Sequence, residues 1–72
     1  MSPVLLWRQV ADDIRADIST GKLAPGARLP GELDLADAYD VSRDTIRRAI
    51  AELASEGLLV TLHGRGTIVR PS

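Results

Sequence analysis

Hydrophobic residues recur every three or four positions near the start of the chain, which is the spacing of an amphipathic helix. The apolar positions in this stretch are Trp7, Val10, Ala11, Ile14 and Ile18. Ser2 and Pro3 fit a helix start, since proline suits the first helical position, and Gly21 fits a C-terminal cap. The pattern predicts a first helix over residues 4–20.

A turn and two shorter helices follow. Pro25-Gly26 marks the turn, and Arg28-Leu29 allows only a very short extended segment. Gly31 is an acceptable N-cap for a second helix over residues 32–39, and Asp40 tolerates a left-handed turn. The apolar positions of this second helix are Leu35, Ala36 and Tyr39.

Ser42 is a good N-cap for a third helix, which the pattern places over residues 43–56. The predicted buried stripe of that helix is Ile46, Ala49, Ile50 and Leu53. Beyond Gly57, strand-forming residues flank a glycine-rich turn and predict a hairpin over residues 58–70. The sequence thus predicts one α+β domain over residues 1–72, a small winged helix-turn-helix of three helices plus a C-terminal β-hairpin wing.

Composition narrows the function. The chain has 72 residues, no Cys and one His, so it offers no disulfide or metal site and calls for no cofactor. No nucleophile or phosphate-binding loop indicates an enzyme. The first residues lack the basic region and long apolar stretch of a secretory signal, and no apolar run is long enough for a membrane helix. We therefore expect a cytoplasmic protein without a membrane partner.

Charge is distributed unevenly, although the net charge is only −1. Residues 1–40 carry four Lys or Arg against seven acids, whereas residues 41–72 carry five Arg against three acids. The local charge, rather than the total, sets a binding face, and a basic second half favours duplex DNA as the partner.

The start of the third helix carries the residues suited to reading bases in a major groove. Arg43 and Arg47 share one helix face, and arginine meets guanine O6 and N7 together. Ser42 and Thr45 suit phosphates or base edges. Solvated helix charges are the alternative interpretation for the arginines.

Two residues of the third helix keep several interpretations open. Arg48 could meet a phosphate, a base or an intrahelical Glu52. Asp44 could accept a hydrogen bond from cytosine, brace Arg43 or Arg47, or only cap and charge the helix.

The hairpin tip is the second candidate region, with the sequence His63-Gly64-Arg65-Gly66. Glycines permit close approach to a groove, and Arg65 suits a minor groove or a phosphate. An ordinary tight turn with an exposed arginine is equally compatible with the spacing. No second ligand or nucleophile accompanies His63, so we do not expect a metal or catalytic role.

Several segments, taken in their order along the chain, resemble the DNA-binding domain of GntR-family bacterial transcription regulators over about residues 5–70. In the first half of the chain, the similarity is carried by residues 9–15 (Gln9-Val10-Ala11-Asp12-Asp13-Ile14-Arg15), residues 19–30 (Ser19-Thr20-Gly21-Lys22-Leu23-Ala24-Pro25-Gly26-Ala27-Arg28-Leu29-Pro30), Glu32 and Leu35-Ala36. In the second half, it is carried by Val41-Ser42-Arg43, Thr45-Ile46-Arg47-Arg48-Ala49, Leu53, Glu56-Gly57-Leu58-Leu59 and Gly64-Arg65-Gly66-Thr67. The resemblance implies guanine contacts by Arg43 and Arg47, a phosphate or base contact by Thr45, and minor-groove contacts by His63 and Gly64. It matches Arg65 to a basic wing residue.

The resemblance also implies that two copies bind a palindromic operator, mostly for repression, and that a C-terminal effector-binding domain follows. No sequence follows residue 72, so we expect that domain to be absent from this chain. The chain departs from the family pattern at several positions. The family usually has serine at the position of Gly31, arginine at that of Leu33 and a small neutral residue at that of Asp44. Basic residues are frequent at the positions of Thr61 and Leu62.

Three functions fit the sequence. A sequence-specific transcription regulator is favoured by the placement of Arg43, Arg47 and Arg65. A winged-helix protein-interaction module is the alternative, which the net charge and the acidic first helix favour slightly. An architectural DNA binder ranks last, because that role calls for more Lys and Arg.

Overall fold

The computed structural model describes residues 6–71 and contains three helices followed by an antiparallel hairpin. The elements are α1 (Leu6–Ser19), α2 (Glu32–Tyr39), α3 (Arg43–Ser55), β1 (Leu59–Leu62) and β2 (Gly66–Val69). The predicted α+β class is confirmed, whereas the helix start at Ser2 and Pro3 lies outside the described residues. None of the described helices is long and apolar enough to cross a membrane.

The turn between α2 and α3 follows the local signals in the sequence. Asp40 adopts the left-handed conformation, with φ 55° and ψ 48°. Ser42 Oγ accepts a hydrogen bond of 3.2 Å from the backbone N–H of Thr45 and thereby caps α3. Gly31 caps α2 by its extended backbone alone, without a side-chain hydrogen bond. Asp40 and Ser42 thus shape the turn through which α2 leads into α3.

The predicted stripe of α3 lies at the centre of the core. Ile46, Ala49 and Leu53 are 0% exposed. The other buried hydrophobic residues are Val10, Ala11, Ile14, Leu29, Leu35, Ala36, Ile50, Leu59 and Val69. Because α3 is held by this stripe, its opposite face is left in solvent.

The hairpin is fixed to the domain through β2, which pairs on both of its edges. One edge pairs with β1, and the other meets the extended segment at residues 26–29, where Arg28 forms an isolated bridge with Ile68. Leu29 N–H donates to the Thr67 carbonyl at 2.9 Å. The very short strand that the sequence predicts at Arg28-Leu29 is therefore present, and it holds the hairpin beside α3.

Arg15 ties α1 to the C-terminal end of α3. Its guanidinium donates to both carboxylate oxygens of Glu56, at 2.9 and 2.5 Å, and to Asp12 Oδ1 at 2.5 Å. The hydrogen bonds from Arg15 lower the pKa of Glu56 and raise the pKa of Arg15 itself. Both side chains remain about a third exposed (37% and 34%), so solvent screens the pair.

We expect Glu56→Gln to flatten the acid side of the stability–pH curve. The folded-state pKa of Glu56 is lowered, so its ion pair stabilises the fold above the ordinary carboxyl pKa. That contribution is lost as the pH falls through the lowered value. Melting temperatures measured between neutral pH and about pH 3 check this, with the exposed Glu52 as the control in Glu52→Gln. Parallel curves for the wild type and both variants would contradict the assignment.

Candidate nucleic-acid interface

The first turn of α3 projects into solvent, because the buried stripe lies on the other side of the helix. The side chains of Arg43 and Arg47 are 56% and 54% exposed. Asp44 lies between them in sequence and is 91% exposed. The fold therefore presents two guanidinium groups and one carboxylate at the end of α3, as the sequence predicts.

Ser42 and Thr45 are placed beside this turn but already serve the helix cap. The backbone N–H of Thr45 donates to Ser42 Oγ, and the two hydroxyl oxygens lie 3.0 Å apart. Ser42 is exposed and Thr45 is half-buried. Ser42 is thus the more accessible of the two hydroxyls for an external ligand.

Glu32, in the first turn of α2, joins both candidate guanine-reading arginines. Arg47 Nε donates to the two Glu32 oxygens at 3.1 and 3.2 Å. Arg43 Nη2 donates to Glu32 Oε1 at 3.3 Å. Arg47 holds Glu32 through Nε and meets Asp44 through Nη1 only at 3.4 Å, so its terminal nitrogens can turn to an external ligand with little loss. Glu32 therefore holds Arg47 more firmly than Arg43.

The electrostatics of Glu32 suit this role. Hydrogen bonding from Arg47 lowers its pKa, with a smaller contribution from Arg43, and desolvation opposes part of the effect. The carboxylate is therefore ionised at neutral pH and pairs with both cations. Glu32 is not among the site residues that the sequence predicts. Its position in the first turn of α2, which a helix-turn-helix packs against the start of α3, was the available signal.

Asp44 makes only a peripheral contact with the arginines. Its Oδ1 lies 3.4 Å from Arg47 Nη1, at the long end of hydrogen bonding. The main support for Arg47 comes from Glu32 instead. Of the three interpretations that the sequence left open, bracing by Asp44 has only this long contact in the free protein.

Arg48 projects away from Arg43 and Arg47 and stacks on Trp7 of α1. Its Cζ lies 4.8 Å from the centroid of the indole ring. No ion pair joins Arg48 to Glu52 within residues 6–71. The sequence does not predict this contact, because Trp7 and Arg48 are far apart along the chain. Trp7 is half-buried and does pack against the core.

The tip of the hairpin presents the predicted basic residue on a shaped turn. Gly64 and Gly66 have φ values of 72° and 90°, which favour glycine. Arg65 and His63 are exposed at the tip. Arg28 donates from Nη2 to the Arg65 carbonyl, which fixes the tip to the body of the domain.

A groove of about 620 Å³ separates α3 from the hairpin and brings part of the predicted site together. Its lining includes Glu32, Leu33, Arg43, Arg47, Thr61, Leu62, Gly64 and Gly66. Leu33 is 61% exposed, so this rim of the groove is apolar. Among the candidate residues outside the lining, Asp44 and Arg65 lie on the adjoining exposed surface.

These features define a winged helix-turn-helix domain. They are the pair of helices α2 and α3, the exposed basic first turn of α3, and the hairpin held beside that turn. Residues 6–69 match the sequence profile of the family described as "Bacterial regulatory proteins, gntR family". The chain belongs to this family, as the sequence resemblance indicated.

Curated relatives include two named repressors. The chain is 40% identical over 68 residues to the HTH-type transcriptional repressor NagR of Bacillus subtilis, covering 94% of this chain and 28% of NagR. It is 43% identical over 65 residues to the mannosyl-D-glycerate transport/metabolism system repressor MngR of Escherichia coli, covering 90% and 27%. The chain thus spans little more than a quarter of the length of these relatives.

Solved structures share the fold over nearly the whole chain. The DNA-binding domain of AraR in complex with operator ORX1 gives a TM-score of 0.87 at 42% identity, covering 96% of this chain and 81% of that one. A GntR-family transcriptional regulator from Listeria monocytogenes gives 0.89 at 30% identity, covering 99% and 60%. These similarities confirm the winged helix-turn-helix fold.

Proposed function

We propose that this chain binds duplex DNA sequence-specifically and serves transcription regulation, as a repressor. The observation that carries the proposal is the exposed pair Arg43 and Arg47 at the start of α3, held together by Glu32 beside the hairpin. The AraR domain in complex with its operator supports DNA as the ligand, and the names of NagR and MngR support repression. Chromosomal DNA as ligand would place the action of the protein in the cytoplasm.

In the proposed complex α3 enters the major groove with its N-terminal turn foremost. Arg47 offers Nη2 and, after leaving Asp44, Nη1 to guanine while Nε stays on Glu32. Arg43 reads a second guanine after leaving Glu32. Ser42 and Thr45 lie where hydroxyls meet phosphates. The groove beside α3 then accommodates a phosphate backbone, and the tip residues reach the adjacent minor groove. These tip residues are His63, Gly64, Arg65 and Gly66.

We further propose that two copies of the chain occupy a palindromic operator. The two half-sites of the operator are then related by the same two-fold symmetry as the two protein copies. The effector-binding domain that the family resemblance implies would lie in the part of each relative that this chain does not cover. The net charge of −1 also predicts weak binding to random DNA, because few phosphates are neutralised.

The second candidate function is a protein-interaction module, which the net charge of −1 favours. Selection of bound duplexes from a random pool, followed by titration of the selected and a scrambled duplex at two salt concentrations, separates the functions. Preferential binding to the selected duplex supports the regulator. No binding would favour the interaction module, and equal binding to both duplexes would favour an architectural binder.

We expect Asp44→Asn to raise affinity for the selected and scrambled duplexes by a similar factor of roughly five, which corresponds to about 1 kcal/mol for one charge near a phosphate. The side chain is 91% exposed and its contact with Arg47 is 3.4 Å long, so the dominant effect is loss of repulsion. Fluorescence anisotropy titrations measure both affinities. Asp37→Asn, an exposed acid on α2 outside the groove, is the control. A fall for the selected duplex alone would instead show that Asp44 reads a base or braces Arg47.

A further inference from the structure

Two arginines converge on the indole ring of Trp7, at the start of α1. Arg48 Cζ lies 4.8 Å from the ring centroid and Arg8 Cζ lies 5.6 Å from it. The indole Nε1 is buried, so it is the ring system and not the donor that meets these cations. We call the group of Arg8, Trp7 and Arg48 the indole patch.

The indole patch carries two positive charges without an acidic partner. Within residues 6–71, neither Arg8 nor Arg48 has a salt bridge or a side-chain hydrogen bond. Arg15, Arg43 and Arg47 are in contrast all paired with carboxylates. Both guanidinium groups lie over the same indole ring, whose π electrons attract cations. A bound anion would balance the charge that the two groups bring to this ring.

The indole patch lies on a different flank of α3 from Glu32. Successive residues of an α-helix are separated by about 100°, so adjacent Arg47 and Arg48 diverge. Arg47 turns towards α2 and contacts Glu32, whereas Arg48 turns towards α1 and contacts Trp7. A helix lying in a major groove about 12 Å wide has a phosphate backbone on each side. When Arg47 faces the bases and the backbone on the α2 side of the groove, Arg48 therefore faces the backbone on the α1 side.

We propose that Arg8 and Arg48 together bind one backbone phosphate of the duplex and that Trp7 is the residue that positions them. This inference rests on the proposed function. A guanidinium fork matches two phosphate oxygens, and stacking on the ring restricts the rotamers of both side chains before DNA arrives. The chain thereby gains a phosphate contact on the α1 side of the major groove, opposite the contact from the hairpin.

The test measures affinity against salt concentration for the selected duplex, using Arg8→Ala, Arg48→Ala and the double variant. We expect each single variant to bind roughly tenfold more weakly, the scale of one charged hydrogen-bonded contact. We expect each single variant, and also the double variant, to lower the slope of log affinity against log salt by about one unit, because a single phosphate is shared. Lys22→Ala, which removes an exposed charge beyond the other end of α1, is the control.

Trp7→Leu separates positioning from charge, since it keeps apolar bulk and both arginines. We expect affinity to fall about two- to fivefold, the scale of lost cation–π contacts, with an unchanged salt slope. Binding is measured well below the melting temperature of the variant, which the smaller core-packed side chain lowers. A neutral methylphosphonate scan of the duplex adds a second measurement. One position should weaken the wild type but cause no further loss in Arg48→Ala.

The outcomes distinguish the two proposals. If the wild type prefers its selected duplex but Arg8→Ala and Arg48→Ala behave like Lys22→Ala, the indole patch is overturned and the proposed function stands. A slope change of about two units in the double variant would assign a separate phosphate to each arginine and overturn the shared site. A wild type without preference for any duplex would overturn both proposals.

Discussion

Leu53→Ala is expected to lower the free energy of unfolding by about 2–5 kcal/mol. Leu53 is 0% exposed and, with Ile46, is one of the largest fully buried side chains. Truncation removes its packing contacts and leaves a cavity that the surrounding helices fill only in part. A hydrophobic core in a domain this small rarely supplies more than about 3–5 kcal/mol, so we expect Leu53→Ala to be largely unfolded at about 37 °C.

Leu33→Ala is the matched control, because it makes the same chemical change at a side chain that is 61% exposed. We expect it to stay within about 0.5 kcal/mol of the wild type. Urea unfolding followed by circular dichroism measures both variants, and the slope with denaturant tests whether the same surface is exposed in each. Equal stability of Leu53→Ala and Leu33→Ala would contradict the packing of α3 at the centre of the core.

The elements of the fold were predictable because each is encoded by neighbouring residues. The stripe from Ile46 to Leu53 identified the inner face of α3, and Ser42 identified its start. Asp40 was correctly placed in a left-handed turn. The end of α3 differs by one residue, since the helix stops at Ser55. Glu56 caps it and Gly57 turns the chain at φ 79°.

The pairing of long side chains between elements was not predictable from local patterns. Arg15 reaches Glu56 across 41 positions, and Arg47 reaches Glu32 across 15. Flexible side chains have many rotamers, and a partner on another helix is fixed only when the core sets the helix angle. The sequence therefore predicted which arginines lie on the exposed turn of α3, but not which carboxylate holds them.

Arg43→Ala is expected to weaken binding to the selected duplex by about 1–3 kcal/mol and to relax discrimination at one base pair. The guanidinium is 56% exposed at the foremost turn of α3, where a fork can meet guanine O6 and N7. Truncation removes that readout while the buried stripe stays intact. Titration against duplexes carrying each base pair at every position locates the affected pair.

Arg65→Ala provides the contrast, since an arginine at the hairpin tip recognises phosphate charge and the width of the groove and does not read a base edge. We expect it to weaken binding to all duplexes alike and to lower the salt slope by about one unit. If Arg43→Ala shows the same uniform loss, its side chain contacts only phosphate, and the guanine-reading role is wrong.

The loss on truncating Arg43 should report the DNA contact rather than the contact with Glu32. Arg43 makes one bond of 3.3 Å to Glu32, and the two side chains are 56% and 37% exposed. Exposed pairs of this kind contribute about 0–1 kcal/mol, so Arg43 can exchange the carboxylate for guanine at little cost. The melting temperature of Arg43→Ala should therefore match that of the wild type. In the double variant with Glu32→Gln, the two losses of affinity should add, because Glu32 acts mainly through the two bonds from Arg47 Nε. Strong coupling between the two substitutions would show that Glu32 positions Arg43 as well.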